Sequence, residues 1–183
     1  GAAPTLEAAA GGTVFNVVDA VFNQSFDVSG QSTTPHGMAW NSDCLKVYIV
    51  GSGALKIYQY DVSSAFDVGT ASFSKSFDVS AQAGIPYGPT WNDDGSKMYI
   101  ADAGSEKLIQ YNLTVPYDIG TAAFSKSLTV SAQDTGPVDI SWNDDGTKMY
   151  MVGDTNSSIF EYGVSTPYDI GTVSFNKSFD MSS

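Results

Sequence analysis

The chain has no arginine, one histidine and one cysteine among its 183 residues. With only eight lysines its formal charge at pH 7 is −12. Nucleic-acid binding is disfavoured, because phosphates and bases are bound mainly through Arg and Lys. The lone cysteine, Cys44, excludes an intrachain disulfide, and we interpret it as a turn residue rather than a nucleophile or metal ligand. No run of 18 apolar residues occurs, so we expect no membrane span.

Repetition is the main feature that the sequence does have. Trp91 to Ile100 (WNDDGSKMYI) returns as Trp142 to Met151 (WNDDGTKMYM), and a diverged copy stands at Trp40 to Ile49 (WNSDCLKVYI). The three tryptophans are spaced 51 residues apart, with no insertion or deletion between them. A fixed period near 50 residues is typical of repeat architectures, in which each repeat is one structural unit.

Each repeat contains four strand-like runs, as the central one illustrates. Its first strand ends at Trp91, and an Asp-Asp-Gly hairpin tip follows. The second and third strands are predicted at residues 97–101 and 108–113, and the fourth lies within Phe124–Ser131 after a longer loop. No segment has the 3.6-residue period of a helix, so we predict an all-β chain.

Antiparallel strands in groups of four, repeated radially, are the blades of a β-propeller. The pattern Pro-x-Gly…Trp-Asn-x-Asp-Gly-x-Lys-Met-Tyr…Tyr, over residues 20–183, resembles the NHL and YVTN-like propeller repeats. It is most similar to the 51-residue variety of environmental bacterial and phage surface proteins. The resemblance implies a fold and no single activity, since propellers include lectins, lyases, lactonases and scaffolds. Two places depart from the pattern: Cys44 replaces the turn glycine, and Pro137-Val138-Asp139 lacks the glycine of the other units.

We predict one propeller-type domain with three four-stranded antiparallel blades per chain. Its parts are an N-terminal arm with a surplus strand (1–24), three repeats (25–75, 76–126 and 127–177) and the end of the last outer strand (178–183). One strand is surplus because the fourth-strand segment occurs four times and the other three strands occur three times. Residues Thr13–Ser29 either pair with a neighbouring molecule by strand addition or double back at the rim of their own blades.

Three blades are too few to close a ring, because propellers typically have four to eight. An open set of blades exposes apolar flanks, which normally mark interfaces. We therefore expect the chain itself as the main partner, with the ring completed by oligomerisation. A dimer gives six blades and a trimer nine, and head-to-tail contacts that fail to close give a filament.

The repeated aromatic and acidic residues are interpreted structurally. Tryptophan and tyrosine at matching strand positions are predicted to pack between blades as the core, and these residues are Trp40, Trp91, Trp142, Tyr60, Tyr111 and Tyr162. The paired aspartates at hairpin tips do not have the spacing of calcium loops, so we interpret them as turn formers. No metal and no cofactor are predicted.

The polar and least repeated positions are the candidates for ligand binding, because loops on a rigid scaffold often carry function. They are predicted to share one face of the blades, formed by crossover loops and by the tips between second and third strands. The candidates are Gln31, His36, Gln82, Tyr87, Gln133, Asp102, Asp154 and Asn156.

The function predicted from these features is a non-enzymatic, self-associating propeller module that binds glycans or a surface receptor. No catalytic residue is assigned, because the one imidazole, His36, has no counterpart in the other repeats and no nucleophile–base grouping is visible. Two alternatives stay open: a structural subunit of a ring or filament, and a propeller-type lyase or hydrolase. The expected location is extracellular, on a virion or on a cell surface.

Overall fold

A computed structural model describes residues 21–182 of the chain. The described residues form three four-stranded antiparallel sheets, each with its strands in sequence order, so the predicted all-β propeller fold is confirmed. The twelve strands are β1 (Pro35–Trp40), β2 (Lys46–Gly51), β3 (Lys56–Val62), β4 (Ala71–Asp78), β5 (Pro86–Trp91), β6 (Lys97–Asp102), β7 (Lys107–Leu113), β8 (Ala122–Thr129), β9 (Pro137–Trp142), β10 (Lys148–Gly153), β11 (Ser158–Val164) and β12 (Val173–Asp180). A single 3-10 turn precedes each fourth strand.

The Trp-Asn-Asp-Asp-Gly stretch forms the hairpin between the first two strands of a blade. In the second blade the buried Asn92 side chain accepts a hydrogen bond from the backbone N–H of Lys97 at 2.8 Å. The Asp94 carboxylate accepts one from the Ser96 N–H at 2.8 Å, and Gly95 has a φ of +69°. Cys44 has a φ of +61° at the same position of the first blade, a conformation that favours glycine.

The core lies between blades. The flank of the first blade, with Tyr48 and Ile57, packs against Met98 and Ile100 of the second, and all four side chains are fully buried. A second cluster joins the other flank of the second blade to the third in the same way. Because each blade buries one flank against the next, the three blades stack as an arc. Within residues 21–182 no second blade covers the outer flank of the first blade or of the third.

Two polar contacts recur at both junctions between blades. Lys75 pairs with Asp118, and Lys126 pairs with Asp169, each at 2.7 Å between Nζ and Oδ1. The backbone carbonyl of Tyr168 accepts a hydrogen bond at 2.7 Å from the Tyr99 hydroxyl of the preceding blade. These contacts fix how one blade sits on the next, in addition to the apolar packing.

The described part of the surplus segment lies against the first blade of its own chain. Residues 21–28 form no strand, and most of their side chains are exposed. Phe26 is the main contact, with its ring packed edge-on against Tyr60 at 5.4 Å. The described residues form neither of the two predicted strands, and pairing of this segment with a neighbouring molecule stays a prediction. The predictions for residues 1–20 lie outside the described residues.

Acid is expected to destabilise the fold through the turn and junction carboxylates. Hydrogen bonds from Ser96, Lys75 and Thr147 hold the pKa values of Asp94, Asp118 and Asp145, respectively, below the ordinary value. The stability that these carboxylates add to the fold is fully present above their pKa in the unfolded chain. It is lost as the pH falls through their lower pKa in the folded chain, because the unfolded chain binds protons at a higher pH. Urea unfolding should show the free energy of unfolding falling as the pH drops below about 4. A constant value between pH 5 and pH 3 would contradict this account.

Candidate functional site

The first strands of the three blades, β1, β5 and β9, lie side by side at the inner edge of the arc. Each carries an irregularity in its pairing with the second strand. In β1, two residues, His36 and Gly37, lie opposite the single residue Val50 of β2. In β5 and β9 the additional residue without a partner on the second strand is Gly88 and Val138, respectively. Such bulges bend a strand and re-aim side chains, and they are frequent beside active sites.

His36 and Tyr87 meet across the first two inner strands. Their rings stack with centroids 4.7 Å apart and an angle of 16° between the planes. The His36 Nδ1 is buried and has no hydrogen-bond partner among residues 21–182. Buried polar atoms are normally paired, so this nitrogen is an exception to the usual pattern. Both residues were predicted as ligand-binding candidates, and the structure brings them together.

Asp139 joins the same edge from the third blade, because two glycines let the inner strands approach closely. A Cβ at Gly37 would lie 2.7 Å from the Cα of Gly88, and a Cβ at Gly88 would lie 3.2 Å from the Asp139 Oδ1. Asp139 keeps access to solvent, yet the atoms around its carboxyl desolvate it and raise its pKa above the ordinary value. The inner edge therefore offers an imidazole, a phenol and a carboxyl on adjacent strands, which we call the inner-edge site.

The inner-edge site contains groups for proton transfer rather than for metal binding. Within residues 21–182 no group of three or more His, Cys, Asp or Glu side chains could hold a metal ion. The inner strands (PHGMAW, PYGPTW and PVDISW) contain no lysine, and His36 is their one basic residue. This composition suits a neutral polar ligand that an acid–base group can act on.

Gln31 and Gln82, two of the predicted ligand-binding residues, hold the crossover loops in place. The Oε1 of each accepts a hydrogen bond from a core tyrosine hydroxyl, Tyr60 at 3.3 Å and Tyr111 at 3.4 Å. The structure therefore places these side chains beside the core and not at the inner-edge site.

Two more candidates brace the loops of the third blade. The Asn156 side chain donates a hydrogen bond to the backbone carbonyl of Gln133 at 2.7 Å. Asp154 lies beside Thr155 and Gly136, so its carboxylate covers the end of the crossover loop. Crossover loops and hairpin tips do share one face as the sequence suggests, but there these two side chains contact neighbouring loop residues of their own blade.

Asp102 has a structural role. It is fully buried, and its carboxylate accepts hydrogen bonds from the backbone N–H groups of Gly84 at 2.9 Å, Ile85 at 2.6 Å and Ser105 at 2.9 Å. It links the crossover loop to the hairpin tip. In the third blade the equivalent residue is glycine, and the carboxylate of buried Asp134 takes over from the crossover loop.

The predicted core aromatics divide into two groups. Tyr60 and Tyr111 are fully buried, and Tyr162 is nearly so. The tryptophans are half-buried, and Trp91 and Trp142 pack on tyrosines of the preceding blade, with ring centroids 4.6 Å and 4.9 Å apart.

Asp139 was not among the predicted site residues. One signal for it was present in the sequence, because Asp139 stands where the other two repeats have glycine. What the sequence does not give is the register of the bulges, which brings this position next to Gly88.

Comparison with known proteins defines the fold class. No family model matches the chain, and no curated protein matches it in sequence, so the resemblance to NHL and YVTN-like repeats stays a prediction. Solved structures do match. A candidate 6-phosphogluconolactonase of Bacteroides uniformis has 19% identity and a TM-score of 0.59, over 80% of this chain and 41% of that one.

Two further structures resemble the chain. The periplasmic gluconolactonase PpgL of Pseudomonas aeruginosa has 13% identity and a TM-score of 0.59, over 80% of this chain and 39% of that one. The Swd1 β-propeller domain of Myceliophteria thermophila has 7% identity and a TM-score of 0.53, over 81% and 43%. At these identities the likeness establishes the fold alone. The chain spans about two fifths of the length of these proteins.

These neighbours correct the functional prediction. The expected non-enzymatic module for glycans or receptors was wrong, and so was the expectation that the chain is not an enzyme, because several of the similar structures are named as lactonases. The neighbours favour the alternative of a propeller hydrolase. In residues 21–182 no helix is both long enough and apolar enough to span a bilayer.

Proposed function

We propose that the chain is the catalytic arc of a β-propeller hydrolase that opens a sugar lactone. The observation that carries the proposal is the His36 imidazole, which stacks on Tyr87 at a bulge of the inner edge. The gluconolactonase names of the structural neighbours supply the substrate class. Because the chain covers about two fifths of those proteins, the activity of the whole ring is part of the proposal.

Hydrolysis of a lactone needs one proton removed and one returned. His36 takes a proton from water as the water oxygen bonds to the lactone carbonyl carbon. When the ring C–O bond breaks, the imidazolium returns that proton to the leaving alkoxide. Imidazole is the side chain that most often performs this exchange at neutral pH. The Asp139 carboxylate accepts hydrogen bonds from the substrate hydroxyls and orients the lactone.

The charge of the inner edge favours an unphosphorylated lactone. Phosphate groups are held by Arg, Lys or a helix N-terminus, and β1, β5 and β9 contain no arginine or lysine. The net charge of −12 also repels an anionic substrate. D-glucono-1,5-lactone is therefore the substrate to test first.

The test is the rate of lactone ring opening at pH 7, corrected for the reaction in buffer alone. We expect kcat/KM to fall about 100-fold or more in His36→Ala, the range for loss of a general base, and about 10-fold in Asp139→Asn. Asp78→Asn is the matched control, because it removes an exposed carboxylate from the outer strand β4. A wild-type rate equal to buffer, or equal rates in wild type and His36→Ala, overturns the proposal.

We also propose a location outside the cytoplasm, on an extracellular or virion surface. The support is the periplasmic location named for the Pseudomonas aeruginosa protein. Fractionation of source cells or virions with an antibody to the chain tests this, and recovery confined to the cytoplasm would refute it.

A further inference from the structure

The open flank of the last blade has the same residue pattern as the two flanks that are buried inside the arc. We define this open flank as Tyr150, Ile159, Glu161, Lys177 and Phe179, which border a groove of about 300 Å³. One repeat earlier the same five positions are Tyr99, Leu108, Gln110, Lys126 and Leu128. Those earlier residues contact the third blade, whereas Phe179 is 67% exposed.

The polar residues of the earlier flank have counterparts on the open flank, where Lys177 lies 3.7 Å from Glu161 of its own blade and no second blade is in contact. Tyr99 donates to the Tyr168 carbonyl, Gln110 accepts from the Ile170 N–H at 3.3 Å, and Lys126 pairs with Asp169. Two repeats earlier, the positions of Tyr168, Asp169 and Ile170 are occupied by Phe66, Asp67 and Val68 of the first blade, respectively. The first blade therefore offers the same carbonyl, carboxylate and backbone N–H. We call the flank of a blade that packs against the preceding blade its receiving flank. Among the described residues, no preceding blade covers the receiving flank of the first blade.

The receiving flank of the first blade is covered by the surplus segment, residues 22–27. The Gln24 side chain donates to the Asp67 carboxylate, as Lys75 does to Asp118 one repeat later. Phe26 packs edge-on against Tyr60, as Phe77 packs against the next tyrosine. Each contact is a copy of the contact that a fourth strand makes at an internal junction.

The surplus segment is a weaker occupant than a complete blade. It forms no strand, and Phe22 remains 81% exposed. It brings the neutral Gln24 to Asp67, where the internal junctions place a lysine. A groove between the segment and the sheet stays open, lined by residues such as Met38 and Val68.

We propose that the open flank of one chain docks onto the first blade of a second copy and displaces residues 22–27 of that copy. Lys177 then pairs with Asp67 of the second copy, Phe179 replaces Phe26, and the Tyr150 hydroxyl reaches the Phe66 carbonyl. The contact is head-to-tail, so it closes a six-blade ring when two copies each dock on the other. Unlike the lactone proposal, this inference concerns assembly, and its test does not depend on activity.

The test is the native mass by light scattering over a range of concentrations, at physiological ionic strength so that repulsion between the acidic chains is screened. The chain mass is 19.3 kDa, and wild type is expected to approach twice that value. Lys177→Glu and Phe179→Ala should each raise the protein concentration at which half of the chains are dimeric, the midpoint, about 10-fold or more. Lys107→Glu is the matched charge control in the central blade and should leave the midpoint unchanged.

Two variants distinguish docking that displaces residues 22–27 from nonspecific association of exposed apolar surfaces. Phe26→Ala weakens the occupant that must leave, so it should lower the midpoint, opposite to Phe179→Ala. The double variant Asp67→Lys with Lys177→Asp should recover most of the association that Lys177→Glu loses. Circular dichroism confirms that each variant keeps its sheets. A single-chain mass at every concentration, or a Phe26→Ala midpoint that moves in the same direction as that of Phe179→Ala, overturns the proposal.

Discussion

Replacing Tyr99 with alanine is expected to lower the free energy of unfolding by about 3–5 kcal/mol, the range for truncating a large buried aromatic. The side chain is fully buried, and its ring packs on Trp142 with centroids 4.9 Å apart. Its hydroxyl also bonds to the third blade. One residue thus joins two blades through both apolar packing and a hydrogen bond, and its loss leaves a cavity at the junction. Urea unfolding followed by tryptophan fluorescence measures the change.

Two related variants make the Tyr99 prediction specific. Tyr99→Phe keeps the packing and removes only the hydrogen bond, so it should cost about 1 kcal/mol. Tyr150→Ala changes the same repeat position on the open flank, which no other blade among residues 21–182 covers, and should cost less than about 1 kcal/mol in dilute, single-chain protein. Equal losses in Tyr99→Ala and Tyr150→Ala would show that the junctions between blades do not stabilise the arc.

Asp102→Ala is the second substitution with a large expected effect, a loss of at least about 3 kcal/mol. The carboxylate is fully buried and accepts three backbone hydrogen bonds, so its removal leaves several N–H groups in the interior without partners. Asp154→Ala, on the same face but exposed, should change stability by less than about 0.5 kcal/mol. Thermal or urea unfolding of the two variants provides the comparison.

The third blade suggests a rescue for Asp102. There the buried carboxylate comes from Asp134 in the crossover loop, and Gly153 stands at the strand position that Asp102 occupies in the second blade. Transferring that arrangement as Ala83→Asp with Asp102→Gly should recover at least half of the stability that Asp102→Ala loses. If the double variant is no more stable than Asp102→Ala, the two carboxylates do not perform the same task.

The period of the sequence was sufficient to predict the fold. The 51-residue spacing, the Asp-Asp-Gly turns and the alternating strands gave four strands per blade, and the second strand predicted at residues 97–101 is β6 at Lys97–Asp102. The surplus segment was harder, since residues 21–28 have the composition of a fourth strand and form none. A strand needs a neighbouring strand to pair with, and propensity alone does not supply one.

The site was less predictable for a physical reason. His36 and Tyr87 could be selected as unrepeated polar positions, but Asp102 and Gln82 could be selected on the same grounds and turn inward to backbone and core. Which carboxylate faces the inner edge depends on bulge register and on the close approach of Gly37 and Gly88. Neither quantity can be read from composition or spacing.

His36 is the residue through which we propose that the inner edge of the arc performs chemistry. The most direct measurement is the rate of D-glucono-1,5-lactone opening by wild type and His36→Ala, prepared and measured side by side at pH 7. We expect a wild-type rate well above that of buffer and a loss of about 100-fold or more in kcat/KM without the imidazole. Identical rates for the two proteins would contradict it.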